Sequence, residues 1–206
     1  MGLLDDLTST LLSTHEATQI GVYGPPNAGK TTFVNQVLAD CGEAASGTAS
    51  HRPHETRTAD RTTSVDIAGK TGTTTIDIVD MPGVSTTVDE AAFRAHGLDA
   101  ETARRRAREA TSGISDALRW LREDITGVIY VLDATRDPLR QVNTMLIGMV
   151  DNEALPVLIL ANKTDLPEAD VERVREAYPT YDVVPVSALE GTNLDTAYAR
   201  IVDTFG

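Results

Sequence analysis

The stretch Gly24-Pro25-Pro26-Asn27-Ala28-Gly29-Lys30-Thr31 fits the pattern G-x-x-x-x-G-K-[ST], and its flanks give that pattern a physical setting. Ile20 to Tyr23 reads as a short buried strand, and the residues after the loop carry Phe33, Val34, Val37 and Leu38 at helical spacing. A strand that turns through glycines into a helix leaves room for backbone N–H groups to close around phosphate oxygens. The helix points the positive end of its dipole at the same anion. The candidate phosphate contacts are therefore Asn27, Ala28, Gly29, Lys30, Thr31 and Thr32, with Lys30 as a point charge near the terminal phosphates and Thr31 as a hydroxyl for Mg2+. The bland alternative is an ordinary glycine-rich turn.

The remainder of the chain alternates as a doubly wound α/β sheet requires. Segments 64–68 and 73–79 alternate apolar and polar residues around Gly69-Lys70-Thr71-Gly72, which predicts a hairpin. Gly127 to Leu132 and Pro156 to Ala161 are continuous apolar runs, as central parallel strands are. Between them, Leu139, Val142, Leu146 and Met149 predict one face of a helix over 139–150. Further helices are expected over 169–178 and 193–205, with a strand over 182–186 between them. The stretch 84–126 is too long for a plain connection, since these are usually about 2–6 residues. Asp99 as N-cap and a run of Ala, Ile and Leu every three or four positions predict a long helix there, ending near Arg122. Segment 42–57 reads as a loop. Residues 1–18 form a separate amphipathic segment whose leucine stripe suits a strap over the core or a partner contact, with a membrane-surface helix as the alternative. Residues 19–206 form the domain.

Composition excludes several classes. A formal charge of −13 argues against broad attraction to nucleic acid or anionic membrane, and leaves only local RNA contact. The only lysines are Lys30, Lys70 and Lys163, and such an Asp-rich, Lys-poor chain suits a salt-loaded cytoplasm, where screening falls to about 3 Å near 1 M salt. The single cysteine, Cys41, excludes an internal disulfide and a multi-cysteine zinc site, so a cytoplasmic location is expected. The acidic N-terminus lacks an export or lipidation signal, and no apolar run is long enough to span a bilayer. His15, His51, His54 and His96 show no metal-ligand spacing. Arg104-Arg105-Arg106-Ala107-Arg108 is open to two readings, a local RNA or protein contact and a helix face ion-paired with Glu101 and Glu109.

Three further motifs give the loop its chemistry. Asp80, in Asp80-Met81-Pro82-Gly83, ends a strand expected beside the loop strand, where an acidic Mg2+ partner belongs; the N–H of Gly83 can approach a terminal phosphate. Asn162-Lys163-Thr164-Asp165 follows the strand ending at Ala161. The Asp165 carboxylate can accept both the ring N–H and the exocyclic amine of guanine, a pair that adenine lacks. Asn162 can brace the loop, and the Lys163 stem can cover a base face. Ser187-Ala188-Leu189 sits where a backbone N–H can meet guanine O6.

These motifs, in this order, resemble the small GTPases of the translation-factor-related class, nearest the Era-like branch, and are similar to short archaeal, haloarchaeal members. The resemblance implies a P-loop NTPase of Ras-like G-domain type, with a mostly parallel six-stranded sheet and helices on both faces. It implies that Thr31 and a switch threonine ligate Mg2+, that Asp80 holds an Mg2+-bound water, and that Asn162, Lys163, Asp165 and Ala188 read guanine. Thr56, followed by Arg57 as in the family's Thr-Arg pair, is the expected switch threonine; Thr58, Thr62 and Thr63 stay open. Lys30, Thr56 and Gly83 are then the catalytic set. Asn27 matches the asparagine of K+-activated members, the alternative being a brace for the loop. Val84 stands where Ras-like relatives place a glutamine. No RNA-binding KH domain is expected after Gly206. The expected function is a Mg2+-dependent GTP-hydrolysing switch with segments about 42–63 and 80–100. Its expected partners are GTP, GDP, an effector protein or ribonucleoprotein, and a second copy in the GTP form. The rivals are a nucleotide-dependent binding module of negligible turnover and a different P-loop enzyme, an ATPase or nucleoside kinase.

Overall fold

In the computed structural model the described residues are 18–42, 59–84, 115 and 117–206. Their elements are β1 (Thr18–Tyr23), α1 (Lys30–Asp40), β2 (Asp60–Ala68), β3 (Thr73–Asp80), β4 (Gly127–Asp133), α2 (Gln141–Asn152), β5 (Val157–Asn162), α3 (Val171–Ala177), β6 (Asp182–Pro185) and α4 (Leu194–Phe205). A helical stretch over 117–123 precedes β4. The strands form one sheet in the order β2-β3-β1-β4-β5-β6, with only β2 antiparallel to its neighbour. β1 thus lies where the strand order reverses. Its carboxyl end opens on the crevice in which doubly wound sheets bind ligands.

Alternation along the strands divides the core. Ile129 and Val131 of β4 face α1 and α4, joining Phe33, Val34, Leu38, Ile201 and Phe205. Val128, Tyr130 and Leu132 face the opposite way, joining Ala117 and Leu121, Val142 and Leu146 of α2, and Val174 of α3. Both faces of the central strands are covered, which is why β4 and β5 read as unbroken apolar runs.

The hairpin of β2 and β3 closes with Gly69 N–H donating to Gly72 O at 2.7 Å. It is not regular: the register shifts between Thr62 and Val65, and Ser64 takes φ 59. The cause is Asp77, buried in β3. Its Oδ1 accepts from the Ser64 N–H at 2.8 Å, and its Oδ2 accepts from the Arg61 guanidinium. A buried carboxylate needs donors, and the bulge supplies one from the backbone.

One expected core residue lies elsewhere. Leu139 is 58% exposed, because the Leu139 N–H is held by Asp137 Oδ1 at 2.9 Å and α2 starts only at Gln141, with Arg140 as N-cap. The turn is pinned instead by Asn143, which donates to Pro138 O and accepts from the buried Tyr130 hydroxyl, both at 3.0 Å. The leucine stripe of the first 17 residues, all four histidines, the 104–108 arginine cluster and most of the predicted 99–122 helix lie outside the described residues. Among the described residues no helix is long and apolar enough to cross a membrane.

Candidate functional site

The loop between β1 and α1 is shaped by contacts that admit only small or left-handed residues. Gly24 has φ 146, and a Cβ there would stand 2.3 Å from the carbonyl oxygen of Val131. Gly29, the N-cap of α1, has φ 95, and a Cβ there would stand 2.2 Å from Asn162 Nδ2. Asn27, at φ 60, is exposed on the loop's surface, whereas Ala28 is buried. Lys30 and Thr31 open α1, so the first-turn N–H groups point out of the helix end, with Thr32 half-buried behind them. The Lys30 side chain curls back over the loop, Nζ donating to Pro25 O at 3.0 Å. Burial lowers its pKa to about 8, with nearby Asp80 pulling the other way.

Asp80 stands in register with Val22 of β1 and with Asp60 of β2. Its Oδ2 accepts a 2.6 Å hydrogen bond from Thr31 Oγ1. Its Oδ1 is buried and has no hydrogen-bond partner among the described residues. Burial raises the Asp80 pKa, while the Lys30 charge and the Thr31 hydroxyl lower it. A buried carboxylate with one unmatched oxygen beside a hydroxyl is a donor set that fits a hard divalent cation. Gly83 comes close above it: a Cβ there would lie 2.8 Å from Pro26 Cα and 3.2 Å from Lys30 Nζ. Thr31, Asp80, Lys30 and Gly83 are thus brought together. Thr56 and Thr58 lie outside the described residues, and Thr62 and Thr63 belong to β2.

The segments after β5 and β6 are tied to the loop after β1 by Asn162. Its Nδ2 donates to Ala28 O at 2.8 Å, and its Oδ1 accepts from the Ala188 N–H at 2.9 Å. One buried amide therefore joins the ends of β1, β5 and β6. The Ala188 N–H, expected to face guanine O6, is in this structure engaged by Asn162. Lys163 has φ 70, and its Nζ donates to Asp133 Oδ2 at 2.6 Å. Asp165 is exposed, with Oδ1 accepting from Ser187 Oγ at 2.6 Å. Leu189 projects outward, 71% exposed.

The sequence reading passed over Asp133. Burial raises its pKa, but hydrogen bonds from Lys163 and Thr135 outweigh this and hold it below the ordinary aspartate value. Its signal was available: an acidic residue at the carboxyl end of an apolar parallel strand, the same cue that Asp80 gave.

Residues 19–163 match the family described as 50S ribosome-binding GTPase. Among curated proteins the chain is similar to GTPase Era of Pseudomonas aeruginosa, 31% identical over 182 residues that cover 85% of this chain and 50% of that one. It is also similar to GTPase Era of Pseudomonas entomophila, 30% identical over 190 residues covering 88% and 53%. The chain spans about half the length of the curated relatives it matches. These relatives are bacterial and lend no support to the archaeal source expected from the resemblance or to the salt-loaded cytoplasm expected from composition. Two solved structures share the fold. A variant of Aquifex aeolicus Era bound to GDP and AlF4− has a TM-score of 0.67 at 21% identity, covering 91% of this chain and 56% of that one. Era in complex with MgGDPNP and a segment of 16S ribosomal RNA has a TM-score of 0.68 at 20% identity, covering 92% and 57%. With a P-loop after β1, a buried aspartate closing β3 and an asparagine closing β5 on a mostly parallel sheet, the chain belongs to the 50S ribosome-binding GTPase family and is Era-like within it.

Proposed function

We propose that the chain binds GTP with Mg2+, hydrolyses it to GDP and phosphate, and acts as a switch whose segments at 42–63 and 80–100 respond to loss of the terminal phosphate. The observation that carries this reading is the Asn162 latch, which holds the phosphate loop at Ala28 and the base loop at Ala188 in one rigid frame. Within that frame Lys30 and the first turn of α1 neutralise phosphate charge, and Gly83 N–H approaches the terminal phosphoryl group. Thr31 and Asp80, with Thr56 as switch threonine, would hold Mg2+, which when bound supplies positive charge at the phosphate oxygens. Asp165 reads the guanine edge, braced by Ser187. The Ala188 N–H serves guanine O6 by sharing its proton between that oxygen and Asn162, as three-centre bonds do.

Competition among GTP, ATP and XTP tests the assignment. A site built to pair guanine's donors rejects a base lacking them by up to about 10^4–10^5. Asp165→Asn should weaken GTP and favour XTP; equal GTP and ATP affinity in the wild type would overturn the reading.

Val84, buried and apolar, cannot orient a water as a glutamine does, so intrinsic turnover should be slow, of the order of 10^-4 to 10^-2 per second. The same observation favours the second reading, a nucleotide-dependent binding module, and single-turnover hydrolysis separates the two. Asn27 on the loop surface is proposed to admit K+ beside the phosphates, giving faster turnover in KCl than in NaCl and losing that difference in Asn27→Ala. For a partner we favour a ribonucleoprotein in the cytoplasm, since a solved Era structure contains ribosomal RNA. Retention of ribosomal RNA by protein loaded with a GTP analogue, and not with GDP, is the expected result.

A further inference from the structure

Lys163 adopts φ 70, a left-handed backbone that residues with side chains hold only where their surroundings enforce it. Three contacts do so here. The Leu166 N–H donates to Lys163 O at 3.1 Å, the Thr164 N–H donates to Val186 O at 3.2 Å, and the Lys163 ammonium donates to Asp133 Oδ2 at 2.6 Å. The last is the only one that fixes the side chain.

Asp133 is itself mounted firmly. Its side chain is 12% exposed, and its Oδ1 accepts from both Thr135 N–H at 3.0 Å and Thr135 Oγ1 at 2.6 Å. It pairs in register with Asn162 across β4 and β5, and the Ala134 N–H donates to Asn162 O at 2.9 Å. The turn beyond it is clamped from α3, where Arg173 Nη2 donates to Ala134 O and Arg136 O at 3.3 and 3.0 Å and the Asp170 N–H donates to Ala134 O. Such anchoring exceeds what a surface ion pair needs. It gives a charge-assisted hydrogen bond one fixed direction.

We propose that Asp133 is a positioning residue for the guanine base: by holding the Lys163 ammonium, it lays the aliphatic stem of Lys163 along the face the base occupies. The inference rests on the reading of 162–165 as the base loop. A division of labour follows. Asp165 meets the base edge and sets which purine is accepted, whereas the Asp133–Lys163 pair supports the base plane and sets how tightly any accepted purine is held.

The test is calorimetric titration of GDP and IDP, with Mg2+, into the wild type, Asp133→Asn, Lys163→Met and the double variant. Asp133→Asn should weaken both nucleotides by about tenfold, as expected of a directly coupled charged pair, leaving their ratio at the wild-type value. In the Lys163→Met background, adding Asp133→Asn should change affinity by less than about twofold, or improve it by removing an uncompensated carboxylate. Asp133→Glu, which keeps the charge, should recover most of the loss; if Asp133→Asn does not fold, the cycle is run with Asp133→Ser and should show a loss only when Lys163 is present. Additive losses, an altered GDP to IDP ratio, or wild-type affinity in Asp133→Asn would each overturn the role of Asp133. Wild-type protein that binds no guanine nucleotide would instead remove the underlying reading of the loop.

Discussion

Asn162→Ala separates the architectural role of the latch from any ligand. The side chain is 3% exposed and makes two hydrogen bonds, to Ala28 O at 2.8 Å and from the Ala188 N–H at 2.9 Å. Ala28 and Ala188 are themselves 0% and 1% exposed, so water does not readily replace the lost partner. Each orphaned backbone group costs about 1–3 kcal/mol, which gives a loss of roughly 2–5 kcal/mol once partial relaxation is allowed. For a domain of this size that corresponds to about 4–20 °C in Tm. Asn162→Asp should fall between the wild type and Asn162→Ala or below both, because it keeps the acceptor for Ala188 but turns a second oxygen toward Ala28 O. The assay is urea unfolding of nucleotide-free protein, with the m-value checked for constancy. A change below about 0.5 kcal/mol in Asn162→Ala, the range of ordinary surface substitutions, would refute the claim that this amide holds the loops together.

Gly24→Ala should cost more than about 3 kcal/mol, because its Cβ would meet the backbone of buried β4, whereas Gly148→Ala, in α2 with no neighbour within 4 Å, should stabilise by about 0.5–1 kcal/mol. Paired thermal melts check the contrast. Because the pKa of Asp133 is depressed on folding, its stabilising effect is present above the unfolded value of about 3.9 and is lost as pH falls through the lower folded value. The stability gap between wild type and Asp133→Asn, measured by urea midpoint, should therefore close as pH is lowered through the acid range. With a formal charge of −13, melting temperature should rise from dilute buffer to molar KCl as self-repulsion is screened; equal stability in both would sink the salt-adapted reading.

Local patterns carried most of the fold. The glycines and apolar flanks of 20–38 located β1, the loop and α1 within two residues, and the unbroken apolar runs located β4 and β5 because those strands are covered on both faces. Asp80 and Asn162 were legible because each stands at the carboxyl end of a recognisable strand, as the last residue of β3 and of β5. What escaped notice was non-local. Nothing around Asp133 announces a partner 30 positions away, and nothing around Asp77 announces that a backbone N–H 13 positions earlier will bulge to meet it. Leu139 was misplaced because its spacing fits the helix while Asp137 captures its amide and delays the helix start.

The bulge at Ser64 bears on how copies of this molecule can meet. Among the described residues β2 and β6 are the outer strands of the sheet. β2 is nine residues long but is broken at its middle, with Arg61 turned to Asp77; β6 is four residues long and ends in Pro185, which has no amide proton. Neither offers a straight run of backbone donors and acceptors on which a foreign strand could grow. These two edges are therefore poor templates for strand addition, and the amide-exchange pattern of the six strands should not change with protein concentration.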